Sequence, residues 1–168
     1  ISLKYIPSSL TNWTLNPFFK NSKNQNIHYR EGFRKTCETD SILNKIKTKK
    51  KKIILLGSSS TYCTDISENN KTWPYLLQKK FDKEFEFFNF GVPHFTTLQS
   101  NIRILNWINY INPDLVIMYQ AKNDLNYISN IPEGIEYINS DFENIQTQFS
   151  ISLNQLIPNI LNFPFYNF

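Results

Sequence analysis

Gly57-Ser58-Ser59-Ser60-Thr61 follows directly on the apolar run Ile53–Leu56. A glycine at a strand end permits a sharp turn into a helix. A residue two positions later sits at or near the helix N-terminus, where free N–H groups and the dipole favour a developing negative charge. A serine so placed can be a nucleophile beside an anion site. The same hydroxyls also serve as ordinary helix caps. Two later stretches end apolar runs in a similar way. Asn89-Phe90-Gly91-Val92-Pro93-His94 offers a glycine whose backbone can approach a ligand closely, and Ala121-Lys122-Asn123-Asp124 offers an amide and a carboxylate. The N–H of the nucleophile, the N–H of Gly91 and the side-chain amide of Asn123 would make three convergent donors, an oxyanion hole for acyl transfer. Asn123-Asp124 also suits a turn closed by its own side chains.

Other chemistries fit less well. A phosphate cradle of the G-x-x-x-x-G-K-[ST] kind needs a second glycine and a lysine, and G-x-G-x-x-G is absent too. The G-x-S-x-G elbow fails because Thr61 stands where its second glycine belongs.

Elements must carry these loops to one place. "IILL" from Ile53 reads as a strand buried on both faces. "KTWPYLLQKKF" predicts a helix with Thr72 as cap, Pro74 in the first turn, and Trp73, Leu76, Leu77 and Phe81 on the apolar face. "EFEFFNF" predicts a second strand ending near Asn89. "LQSNIRILNWINYI" places Leu98, Ile102, Leu105 and Ile108 on one helical face, and "NPD" stops it. "LVIMY" predicts a third buried strand, and a further helical pattern runs from about Asp141 to Leu161, broken by Pro158. Strands alternating with helices imply a parallel sheet covered on both faces, with ligands at the C-terminal strand ends. All three polar loops lie there.

Residues 1–50 read as an irregular extension, with Trp13, Phe18, Phe19, Tyr29 and Phe33 anchoring it on the surface of a domain at 51–168. His28 falls in that extension and is expected at the surface. Lys47–Lys52 reads as a solvated lead-in to the first strand, or as a patch for phosphate, nucleic acid or a membrane surface. The 168 residues suffice for one core, and the net charge of +4 does not by itself point to nucleic acid. Frequent Asn, Ile and Lys fit an A+T-rich coding sequence. Cys37 and Cys63 form neither a disulfide framework nor a zinc motif. No stretch approaches the ~20 apolar residues of a membrane helix. The chain opens on Ile1 and closes on "NFPFYNF", so a piece of a longer protein is expected.

Together the loops resemble those of the SGNH (GDSL-type) hydrolases. That family's blocks are G-[DGSN]-S-x-T after a buried strand, an N-x-G-x-P-G-like stretch, and G-x-N-D. Here the spacing is 32 residues from Ser59 to Gly91 and 32 again from Gly91 to Asn123. Gly32-Phe33-Arg34 also resembles a stretch upstream of the first block in a branch with N-terminal extensions. The resemblance implies a flavodoxin-like α/β/α sandwich, incomplete at its C-terminus. It implies Ser59 as nucleophile, Gly91 and Asn123 as oxyanion donors, and no metal or organic cofactor. The substrate would be a small-molecule or carbohydrate ester, including one of the cell envelope. The sequence departs from the pattern at Cys63, His94 and Ala121, where glycine is usual. It also lacks the family's D-x-x-H block, which supplies the base. The chain is then a fragment, a non-catalytic relative that binds a glycan or partner through the same cleft, or a protein using His94 as base.

Overall fold

The run Ile53–Leu56 forms the buried part of strand β3 (Lys51–Gly57). β3 is flanked in parallel by β4 (Phe85–Asn89) and β5 (Leu115–Tyr119), with Ile54 opposite Phe88 on one side and Val116 on the other. The computed structural model describes residues 4–129. The chain divides into two units, residues 1–126 and 127–168, and the first holds every strand among the described residues. Between β3 and β4 come α2 (Ser59–Tyr62) and α3 (Trp73–Lys80); between β4 and β5 come α4 (Thr97–Leu105) and α5 (Ile108–Ile111); α6 (Lys122–Ser129) follows β5. The fold is therefore α/β, a three-stranded parallel sheet flanked by helices. The helical pattern expected over Asp141–Leu161 lies outside the described residues.

Two faces of the sheet carry two cores. Ile54, Leu56, Phe88 and Phe90 pack with Ile104 and Ile111 on one face. Ile53, Leu55 and Phe87 pack with Leu77 and Phe85 on the other. The first predicted helix forms, and the second splits into α4 and α5; Leu77 and Ile108 pack against the cores as expected, but most of the predicted inward residues do not. In α3, Trp73, Leu76 and Phe81 remain at least 37% exposed, while Pro74 and Gln78 are buried. Gln78 sinks because its amide completes the sheet edge, accepting from Phe87 N and donating to Phe85 O. Thr72 precedes α3 in extended conformation, yet its hydroxyl does not cap; it donates to Asn69 O at 2.7 Å. In α4 the buried residues are Ser100, Arg103 and Ile104, and Leu98, Ile102 and Leu105 are half-buried. Thr96 and Gln99 close a reciprocal capping box at its start.

β5 is also not the buried strand its composition predicts. Leu115, Ile117, Met118 and Tyr119 are 43–66% exposed. Like β4, β5 is an outer strand of the sheet among the described residues, and an apolar run looks the same in a central or an edge position.

The extension is part of the core rather than a coating. It opens with a hairpin, β1 (Tyr5–Ser8) and β2 (Asn12–Leu15), which the sequence reading missed. Tyr29, Phe33 and Ile42 are fully buried in the main core, not on a domain surface; Phe18 is 78% exposed. His28 is fully buried too, which corrects its expected surface position. Its Nδ1–H donates to Asn16 O at 2.6 Å, so Nε2 accepts from the Tyr62 hydroxyl at 2.8 Å. Arg103 reaches from α4 onto the Phe33 and Phe90 rings and donates to Thr14 Oγ1 and Gly32 O. α1 (Leu43–Ile46) buries Lys45, whose ammonium donates to Thr36 Oγ1, Gln78 Oε1 and Phe87 O and faces Glu86 at 3.5 Å. In the lysine run, Lys47, Lys49 and Lys51 are exposed, and Lys50 pairs with Asp82 and Glu86. Among the described residues no helix is long and apolar enough to cross a membrane.

Candidate active site

Ser59 is the first residue of α2, immediately after β3. A one-turn helix does not hold itself, because nucleation fixes several residues for few hydrogen bonds. Its carbonyls would be orphaned without outside donors. Trp73 Nε1 donates to Ser60 O at 3.0 Å, Asn89 Nδ2 to Thr61 O at 3.0 Å, and Arg34 to Tyr62 O at 2.9 Å and Cys63 O at 2.8 Å. The N-terminal side is different. Ser58 makes no side-chain cap bond, and neither Ser59 Oγ nor Ser59 N–H has a partner among the described residues. Ser59 is half-buried and Ser60 exposed. The hydroxyls of this loop are thus not used as caps.

Gly57 is needed for room. A Cβ there would lie 2.1 Å from Thr61 Oγ1 and 2.5 Å from Tyr119 O. Its backbone is not in the left-handed region, so close packing rather than a special turn accounts for the glycine. Thr61 Oγ1 is buried without a hydrogen-bond partner among the described residues.

Gly91 makes the close approach expected of it, but toward the protein. A Cβ would meet Tyr62 N at 2.4 Å, so the second loop lies against the first turn of α2. Its amide, expected as an oxyanion donor, is donated to Asn89 Oδ1 at 2.9 Å. The Asn89 side chain thereby clamps both loops, taking Gly91 N–H on one side and giving to Thr61 O on the other. The third loop is tied to the second. Asn123 Nδ2 and Gln120 Nε2 both donate to Phe95 O, at 2.8 and 2.9 Å. The Asp124 carboxylate accepts from Thr97 N and Thr97 Oγ1, so it pins α6 to the start of α4. One of the two Asn123 N–H groups is thus committed to Phe95.

Neither histidine bonds to Ser59. His28 is occupied by Asn16 and Tyr62, and burial holds its pKa down at about 3, opposed by the Asn16 carbonyl and reinforced by Arg34, Lys4 and Arg103. His94 is exposed in the second loop. Burial pushes the Cys63 thiol up, away from a thiolate. Among the described residues no group of three or more His, Cys, Asp or Glu side chains gathers to hold a metal ion.

The backbone at the three departures from the family pattern is informative. Cys63 has φ 62°, His94 φ 66° and Ala121 φ 129°. These values lie where glycine is relaxed and other residues are strained. The chain keeps glycine's conformation at each position where the pattern has glycine and the sequence does not. Two contributors to the site carry no assigned role in the sequence pattern. Arg34 and Tyr62 brace α2, and only the Gly32-Phe33-Arg34 resemblance pointed near them.

No protein-family model matches the chain, and no curated protein matches it.

Proposed function

We propose that these residues form the nucleophile side of a serine esterase or O-acyltransferase site of the SGNH type. The observation that carries this is the positive φ shared by Cys63, His94 and Ala121. The strand order β4-β3-β5 supports it as well. In chain order that is second, first, third, which is how a flavodoxin-like sheet begins.

In this reading Ser59 Oγ attacks an ester carbonyl. The carbonyl oxygen gains charge and is held by Ser59 N–H and the second N–H of Asn123. Gly91 N–H joins them by exchanging Asn89 Oδ1 for the oxyanion. The alcohol leaves, and the acyl group passes from Ser59 to water or to a sugar hydroxyl. The Ser59 proton needs an acceptor. The family's acceptor sits in an Asp-x-x-His block that the sequence does not contain. The reaction therefore belongs to a protein in which that block is supplied. Carbohydrate or envelope esters are the substrates that the N-terminal extension suggests.

A second reading has its own support. The Gly91 amide is already satisfied, and no histidine meets Ser59. A non-catalytic module that binds a glycan or partner in the same cleft would look like this. Hydrolysis of p-nitrophenyl acetate by the full-length protein, with Ser59→Ala beside the wild type, separates the two. The esterase reading expects turnover that disappears in Ser59→Ala. Equal turnover in both proteins would show that Ser59 is not the nucleophile, and no turnover in either favours the binding module.

A further inference from the structure

α2 presents Ser59 at one end, and its other end is held almost wholly by one side chain. The Arg34 guanidinium donates through Nη1 to Tyr62 O and Cys63 O and through Nη2 to Ile66 O, while Nε donates to Asn69 Oδ1 at 3.2 Å. It also stacks on the Tyr62 ring, with Cζ 4.7 Å from the ring centre. The residue is fully buried. Three carbonyls on one guanidinium, from the last residue of α2, the residue after it and Ile66, leave α2 little freedom to slide or unwind. A lysine ammonium cannot reproduce this. It is a point charge on a flexible stem, whereas the guanidinium fork is planar and rigid.

We propose that Arg34 is the positioning residue of this site, fixing α2 from behind so that Ser59 Oγ and Ser59 N–H stay aimed at one point. The proposal rests on the reading of Ser59 as nucleophile, and its test separates the two. The intact protein is treated with a fluorophosphonate, which phosphonylates an activated serine, releasing fluoride as the serine oxygen bonds to phosphorus. Wild type and Arg34→Lys are compared for the maximal inactivation rate and for the half-saturating concentration. Amide hydrogen exchange is followed in parallel at Tyr62 and Thr64 and at Ile54 and Leu55 of β3. Arg34→Lys is expected to lower the maximal rate about 100-fold, the scale of a 1 Å misplacement, with the half-saturating concentration unchanged. Exchange at Tyr62 and Thr64 should quicken at least 10-fold while β3 stays protected.

Added guanidinium should restore part of the rate in Arg34→Ala, which loss of overall stability alone would not allow. If Arg34→Lys reacts like wild type and exchange in α2 is unchanged, the proposal is overturned. If wild type does not react, the nucleophile reading fails, and the α2 exchange rates alone decide whether Arg34 braces the turn. Should the Arg34 variants not fold, Asn69→Ala frees Nε and leaves the guanidinium in place. It should slow labelling about 5-fold and quicken α2 exchange, and no change in either would overturn the proposal.

Discussion

Acid should destabilise this protein through one side chain. His28 is fully buried, and both ring nitrogens are engaged as those of a neutral imidazole, donating to Asn16 O and accepting from the Tyr62 hydroxyl. Burial, with Arg34, Lys4 and Arg103 nearby, lowers its pKa from 6.5 to about 3. The unfolded chain therefore takes up a proton below about pH 6.5 that the folded chain refuses until about pH 3. Stability falls as pH drops through that window and is unaffected above it. At pH 5 the difference works out at about 2 kcal/mol, and at pH 4 at about 3 kcal/mol. Urea unfolding at pH 7.5 and pH 5.0 measures it, and the control is His28→Gln, whose amide can still accept from Tyr62. The variant is expected to start weaker at pH 7.5, by about 1–3 kcal/mol for an imperfect buried bond, but to lose little more by pH 5.0. Asp40 and Glu68, whose carboxyls Lys35 and Lys71 hold low by hydrogen bonding, weaken both proteins alike at lower pH. If wild type and His28→Gln lose the same stability between these pH values, the neutral buried imidazole is not the cause.

Strain at the positive-φ sites gives a second expectation. Cys63→Gly and His94→Gly should each stabilise by about 0.5–1 kcal/mol, the left-handed penalty less glycine's extra unfolded-state entropy. Ala121→Gly, with φ 129°, should gain about 1–2 kcal/mol, all three read as higher melting temperatures. Gly91→Ala pushes a methyl to 2.4 Å from Tyr62 N, which backbone cannot easily yield, so a loss of about 3 kcal/mol in urea unfolding is expected. Lys45→Met removes the donor of three buried hydrogen bonds and should cost about 3 kcal/mol in the same assay.

The sequence made the sheet legible because Ile53–Leu56, Phe85–Asn89 and Leu115–Tyr119 are contiguous signals, each ending in a polar loop. The loops that meet around α2 were legible for the same reason. What stayed hidden involves long polar side chains that find acceptors far along the chain. Arg34 reaches carbonyls 28 and 29 residues on, and Arg103 reaches Gly32 O from 71 residues away. Neither leaves a periodic trace. The inward faces of α3 and α4 were misread because Gln78 and Arg103 outcompete leucines for the interior once their polar ends are satisfied. The β1–β2 hairpin is short and contains Pro7, so its alternation is too brief to register. The Gly91 amide looked available because the Asn89 side chain that takes it cannot be placed from spacing alone.

The ties between the N-terminal segment and α4 set an order of events at the ribosome. Gln99 donates to Thr11 O across 88 residues, and Arg103 to Thr14 Oγ1 across 89. The hairpin is synthesised well before α4, and these two anchors do not exist until α4 has been translated. Loop closure over such distances is entropically slow and is rewarded only by contacts made afterwards. During that interval Tyr29, Phe33 and Ile42 have no finished core to enter. The nascent chain therefore carries unshielded apolar surface at these residues until Ile104 and Ile111 are made to cover it, and a holdase chaperone would find its binding site there.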